Sequence, residues 1–447
     1  MHTSCCLIKE YIHDLAKCFL HGYIFFIACA TSLSCTKLVC ADIVSAEKSS
    51  LQRITDLIEK NSAQLSSKQY KIDMSYRSAR QKLIGYVPHI AFQSLWQTSG
   101  SWPTVPYQQT SLRVDQLIFD GYGPIEHYNQ GLYDMRAEQA GWSVERNDLF
   151  FESAQKTIAF SRQNTIQEYS AAKTFFAELD SDRAVLAKNS GLATVVQEDL
   201  ARANAAQQET LLKQPQRNRD ALVRELWTIT NMPFDFAPLY DFDAKRAFVD
   251  RVLQQETVTS LTGRAKQYNP FMDVLNQRIE KADYTARVLP RAYLPKVGGY
   301  YTTLDQKVPI QLDYLDFPRQ WSLGIALEWE FDGWKHIDDR DIAKVEKLQL
   351  ECERLQTVNT FEKDITESYA TIANLAEQIS EKEKIIQAQI QAYEQQKAFL
   401  SVGLASCIDE ADAYTKVKST QDERNELSAK MAVEYETIQL ISGFTLE

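Results

Sequence analysis

Residues 335–402 make up a run of 68 residues that contains neither glycine nor proline. An α-helix rises about 1.5 Å per residue, so a helix over this run is on the order of 100 Å long. No globular domain needs such an element. A second clean run, residues 404–442, begins immediately after Gly403. A lone glycine between two long helical patterns reads as a hairpin turn, because glycine takes positive φ without steric penalty. Upstream, Ser190-Gly191-Leu192-Ala193-Thr194 follows another clean run that starts at Trp142. The two glycines lie 403 − 191 = 212 residues apart. Within the longest run, Leu348, Cys352 and Leu355, then Ile365, Tyr369, Ile372, Ile379, Ile386 and Tyr393, recur at helical spacing and predict a coiled-coil seam.

Only 15 glycines and 12 prolines punctuate 447 residues, roughly half the usual share, which again requires long elements. The net charge of −11 excludes nucleic acid as the main partner, since phosphate binding needs a basic surface. Six of the eight cysteines lie in the first forty residues. There, Lys9 and Lys17 precede an apolar run, residues 19–30, and then Val39-Cys40-Ala41. This reads as a secretory signal peptide, residues 1–41, cleaved before Asp42. Acylation at Cys29 or Cys35 is the alternative. The mature chain keeps Cys352 and Cys407, placed tens of ångströms apart by the helix rise and beyond disulfide reach.

Taken in order, residues 51–81 predict a helix with Leu51, Ile54, Leu57 and Ile58 on one face, interrupted at Asn61-Ser62 and resuming through Leu65, Tyr70 and Ile72. Two strands follow at about 86–96 and 107–119, joined by a loop rich in turn formers. Helix 125–189, the Gly191 turn and a return helix to about 232 complete a first unit, 42–232. Pro215 falls inside the return helix and is expected to kink or end it. Residues 233–245 read as a linker. A second unit, 246–447, repeats the plan: a helix to about 289 interrupted at Asn269-Pro270, strands at about 293–303 and 320–331 joined by a loop from about 304 to 319 that contains Pro309 and Pro318, and the hairpin with its tip at Gly403. The strand exits Phe119-Asp120-Gly121 and Phe331-Asp332-Gly333 share the interval 333 − 121 = 212. At that offset Ile325 meets Arg113, so the apolar alternation slips by one residue, which predicts a bulge or indel.

Strands of about ten residues with aromatics at their ends have the dimensions of membrane-spanning β-strands. Trp96, Trp102, Tyr107, Tyr300, Tyr301, Trp321 and Trp334 cluster at those ends. Four strands cannot close a barrel, and open edges are not tolerated in a bilayer, so several chains must contribute. The competing reading is an envelope-associated structural coiled-coil protein with a small capping sheet and no channel activity.

This constellation resembles the TolC family of bacterial outer-membrane channels. The resemblance rests on the duplicated plan, on Tyr86-Val87-Pro88 and Tyr293-Leu294-Pro295 at the outward strands, on the two strand exits, and on the tips Ser190-Gly191-Leu192-Ala193 and Val402-Gly403-Leu404-Ala405. It implies a mainly α fold with a β-barrel contribution: a homotrimer with a twelve-stranded barrel in outer-membrane lipid and a twelve-helix periplasmic α-barrel. It implies an exit duct for a tripartite efflux pump or type I secretion system, working with a periplasmic adaptor protein and an inner-membrane pump. The tip residues Gly191, Leu192, Ala193, Gly403, Leu404 and Ala405 would meet the adaptor. Asp409 and Asp412, six and nine residues past Gly403, would ring the periplasmic aperture. The first tip has Gln197, Glu198 and Asp199 instead, and Cys407 is an unusual residue at such a tip.

No enzymatic chemistry is visible. His89, His127 and His336 sit in no HExxH motif, and there is no GxGxxG, P-loop or nucleophile elbow. The reading therefore includes no catalytic residue, no metal ligand and no cofactor.

Overall fold

A computed structural model describes residues 49–98, 106–243, 255–310, 313–316, 319–329, 333–402, 404 and 407–443, together with 246, 249 and 251. The signal segment, Trp102, Phe331, Asp332, Gly403 and Ala405 lie outside the described residues.

The chain opens with helices α1 (Ser50–Asn61) and α2 (Ala63–Lys82). Leu51, Ile54 and Ile58 of α1 are buried as their spacing predicts, and so are Leu65 and Ile72 of α2, whereas Tyr70 faces outward. After a 3-10 turn come strands β1 (His89–Thr98) and β2 (Pro106–Phe119), paired antiparallel. Helix α3 (Pro124–Asn189) starts on a proline at its first turn, where the missing N–H costs nothing, and α4 (Val195–Thr230) returns along it.

The remaining elements are α5 (Val258–Tyr268), α6 (Pro270–Val288), β3 (Lys296–Ile310), β4 (Asp313–Asp316), β5 (Gln320–Glu328), α7 (Lys335–Ser401) and α8 (Cys407–Ser442). Asn269 divides α5 from α6 and caps the latter, its side chain accepting from the Phe271 N–H at 2.9 Å. The helix ahead of this break begins at Val258, with Thr257 as its cap, rather than running continuously from 246.

Helix ends keep the interval of the glycines: α7 and α3 end 401 − 189 = 212 residues apart, and α8 and α4 end 442 − 230 = 212 apart. Asn231 and Gly443, just past the two return helices, are also 212 apart, and both take left-handed backbone.

The strands form one sheet of five, not four. β2 pairs with β3, so the two hairpins are neighbours, and β5 pairs with the first part of β3. The segment expected to be a loop after residue 303 instead prolongs β3 to Ile310 and pairs with β4. The slipped alternation has its cause at Ile118. β2 pairs Leu117 with Gly298 and Phe119 with Val297, leaving Ile118 as an extra residue. Everything ahead of that bulge is therefore one residue out of phase with β5.

Proline does not end α4. Pro215 lies within the helix and is buried. α3 clamps α4 on both sides of it: Thr174 donates to the Gln208 carbonyl at 3.2 Å, and Arg219 donates to Asn164 at 2.7 Å.

Apolar clusters run along the helices. Ile54, Ile58, Leu149, Phe150 and Leu226 seat α1 in the notch between α3 and α4. Leu261, Ala265, Ile365, Ile372, Ile379, Met431 and Tyr435 do the same for α5 between α7 and α8. Where the linker crosses from one hairpin to the other, Tyr240 packs with Ile158 of α3 and Ala429 and Ala432 of α8. Of the predicted seam on α7, Ile365, Ile372, Ile379 and Ile386 are buried, while Leu348, Cys352 and Leu355 remain exposed. That upper stripe is not covered by the described helices.

Candidate functional site

The two ends of the molecule carry the candidate features. At one end are the hairpin tips. α3 stops at a Schellman motif, in which the N–H of Leu192 donates to the Ala187 carbonyl (2.8 Å) and that of Gly191 to Lys188 (2.9 Å). Gly191 holds φ +72°, the left-handed value that the motif requires. Thr194 then starts α4 with a capping box: its side chain accepts from the Gln197 N–H at 3.3 Å while Gln197 Oε1 accepts from the Thr194 N–H at 2.8 Å. The T-x-x-Q spacing after a glycine turn is the sequence signal for this cap.

The second tip repeats the first bond, with the Leu404 N–H donating to the Phe399 carbonyl at 2.8 Å. Those two residues are the counterparts of Leu192 and Ala187 at the same interval of 212. Both turns hold a leucine out in the open, Leu192 at 84% and Leu404 at 76% exposure, and Val402 beside the latter is exposed as well. Ala193 is half-buried. Asp409 and Asp412 lie in the first two turns of α8 and are both exposed.

Glu198 of α4 is the feature that spacing alone did not single out. Its carboxylate is buried between Lys188 of α3, at 2.5 Å, and Arg202, at 2.7 Å. The hydrogen bond from Lys188 is the main reason its pKa lies below the ordinary glutamate value, with the charge of Arg202 adding to it. This staple crosses the first hairpin just above its turn. The Glu-x-x-x-Arg spacing of Glu198 and Arg202 is a sequence signal for an i,i+4 contact, whereas nothing local signals the lysine on the opposite helix. In the second hairpin, Glu410 takes the place of Glu198 at the same interval, whereas Leu400 and Tyr414 replace Lys188 and Arg202.

At the other end is the sheet. Trp321, Leu323, Ile325 and Leu327, on one face of β5, are 69, 73, 76 and 67% exposed. Ile90 and Phe92 of β1 stand on the same face and are also exposed. β1 and β5 are the outer long strands of the sheet, and each has one edge without a partner strand among the described residues. Phe119 ends β2. Gly121 follows under the 3-10 turn ahead of β3, where a Cβ would lie 2.2 Å from the Arg291 carbonyl oxygen. Asp120 stands between the two. Gly333 sits in the turn before α7, and its carbonyl accepts a hydrogen bond from Tyr293 at 3.0 Å. The strand entry and exit of this half are thus tied together.

No described helix is long and apolar enough to cross a membrane. Two long helical hairpins that end in a shared sheet with one apolar, solvent-facing side form the architecture that the sequence resemblance implied. Residues 261–443 match the outer membrane efflux protein family.

Among solved structures, CusC is similar over 89% of this chain and 92% of its own, at 12% identity and a TM-score of 0.72; its structures concern folding and transmembrane channel formation. The outer-membrane protein VceC of Vibrio cholerae matches over 89% and 97% (14% identity, TM-score 0.67). The outer-membrane channel CmeC of Campylobacter jejuni matches over 90% of each chain (13% identity, TM-score 0.67). No curated protein sequence matches this chain. The chain therefore shares the fold of these structures over nearly its whole described length.

Proposed function

We propose that this protein is the outer-membrane exit duct of a tripartite efflux or type I secretion system, a passive homotrimeric channel. The observation that carries the reading is the apolar outer face of β5, four large side chains about two-thirds or more exposed on a strand with one edge unpaired among the described residues. In water such a strand is an aggregation site. In a bilayer both defects are removed if β5 of one copy pairs with β1 of the next and the apolar face meets lipid. Three copies then supply twelve long strands. The exposed upper stripe of α7, with Ile342, Val345, Leu348 and Leu355, is buried between copies in the same assembly.

The chain is read as two copies of one unit, 42–232 and 246–447, joined by the 233–245 linker. The helices project into the periplasm. The exposed Leu192 and Leu404 turns meet a periplasmic adaptor protein, which couples the duct to an inner-membrane pump. Six carboxylates from Asp409 and Asp412 ring the aperture in the trimer, favouring cations and narrowing the opening by charge.

Planar-bilayer recording of the purified protein tests this. The protein is expected to form cation-preferring pores, and Asp409→Ala with Asp412→Ala to raise conductance and weaken that preference. A protein that fractionates as soluble and forms no pore is a structural envelope protein instead.

A further inference from the structure

Strand register sorts the side chains of the sheet into two faces with opposite chemistry. One cross-strand row reads Ile90, Val114, Tyr301, Leu323, and the next of the same face Phe92, Leu112, Thr303, Trp321. The opposite face carries the row His89, Asp115, Tyr300, Gly324 and then the row Ala91, Arg113, Thr302, Ser322. Since the first face is the apolar, lipid-facing one, the second lines the interior of a closed barrel.

Two features of that interior face are specific. Arg113 and Asp115, two residues apart on β2, are paired, with Arg113 Nε 2.7 Å from Asp115 Oδ2 and donating to Oδ1 at 3.0 Å. Beside them, Tyr300 does not stand away from the wall. Its ring leans over β5 into the space left by Gly324, where a Cβ would lie 2.7 Å from both Cζ and the hydroxyl oxygen of the tyrosine. The glycine thus acts as a recess that stores the ring against the wall.

We propose that Arg113, Asp115, Tyr300 and Gly324 form a second, barrel-level filter that keeps the bore open and its wall charge-compensated towards cargo on its way out. It rests on the pore reading above. The pair is charge-compensated: each Asp115 carboxylate is cancelled by its Arg113 guanidinium, so this level of the wall adds no net charge to that of the periplasmic aperture. The filter's width is held open by the Tyr300 ring lying in the Gly324 recess. Arg113, Asp115 and Tyr300 here are specificity-determining residues that touch what passes.

The test is single-channel recording on the full-length protein under a salt gradient. Arg113→Gln bares three carboxylates per trimer and is expected to increase cation preference. Asp115→Asn bares three guanidinium groups and is expected to shift the reversal potential the opposite way. Gly324→Val fills the recess, swings Tyr300 into the lumen and is expected to lower conductance several-fold; adding Tyr300→Ala to it restores conductance. Reversal potentials that stay at the parent value in both charge variants overturn the proposal, even if Gly324→Val fails to assemble. A Gly324→Val pore that conducts like the parent also overturns it. If the parent itself forms no pore, the duct reading fails and this inference fails with it, an outcome distinct from parent pores whose variants are silent.

Discussion

Arg162 of α3 grips Asp422 of α8 with both terminal guanidinium nitrogens, the Nη2–Oδ2 bond measuring 3.0 Å, across 260 residues of sequence. Both side chains are mostly shielded from solvent, and Glu426 of the same helix lies 3.7 Å from the guanidinium. Nearer the tips, the Tyr414 ring contacts Phe176 of α3 and Tyr393 of α7. A charged clasp and an aromatic cluster therefore join the two hairpins laterally, below the apolar contact around Tyr240.

Asp422→Ala removes the bidentate partner and leaves the guanidinium with its hydrogen bond to the Thr165 hydroxyl (2.8 Å) and the longer contact to Glu426. A charge-assisted, half-shielded pair of this kind is worth about 1–3 kcal/mol. Amide hydrogen exchange along the middle of α8 is expected to accelerate roughly 5- to 150-fold in sub-global opening, following the same free energy. Glu426→Ala, at a more exposed partner, should change exchange much less. Equal effects from the two variants would mean that the clasp is not what joins the hairpins.

Tyr240 does the same work from the linker. Its hydroxyl donates to Glu436 Oε1 at 2.8 Å, and its N–H donates to Ser161 at 2.6 Å. Burial and the neighbouring carboxylate together hold the phenol far above its ordinary pKa, so it stays a donor at every physiological pH. Tyr240→Phe keeps the ring packing but takes one donor from a carboxylate that is 1% exposed. The expected cost is about 1–3 kcal/mol, read as a lowered midpoint in chemical unfolding monitored by circular dichroism. An unchanged midpoint would show that the ring alone seats the linker.

That linker shows where sequence reading runs out. Pro233 and Pro238 mark it as a break, and as a break it was legible. Its packing was not, because the partners of Tyr240 lie on α3 and α8, 79 and 196 residues away. Long helices were readable for the opposite reason: the signal for each is local, a clean run closed by a glycine. Pro309 misled the reading of the second hairpin, since proline with nearby turn formers reads as loop. In the structure Pro309 sits in β3 opposite Tyr314 of β4, at the short outer ladder of the sheet, where a missing donor is tolerated. Pro215 does not end α4 for a related reason, since the clamps to Thr174 and Asn164 that carry the helix past it are tertiary. Of the tip residues, the turn at Gly191 was written in the sequence, whereas the lysine that completes the Glu198 staple became visible only when α3 and α4 lay side by side.

Glu198 gives the first hairpin a defined response to acid. Its folded-state pKa is depressed, first by the hydrogen bond from Lys188 and then by the charges around it. A depressed carboxylate contributes stability above its unfolded-state pKa, about 4.3, and loses that contribution as pH falls through the lower folded-state value. The staple therefore persists from neutral pH down to about pH 5 and opens only below the ordinary glutamate range. Amide exchange at the first tip should show the same local stability at pH 7 and pH 5, after correction for the intrinsic rate, and a loss of protection in stronger acid. Glu198→Gln, which keeps the shape but not the charge, should show the loosened tip already at pH 7 and no further acid step there. The second tip, with Leu400 and Tyr414 at the positions of Lys188 and Arg202, should be unaffected by that substitution. A first tip that loosens between pH 7 and pH 5, or a Glu198→Gln tip as protected as the parent, would show that a group other than this carboxylate holds the hairpin closed.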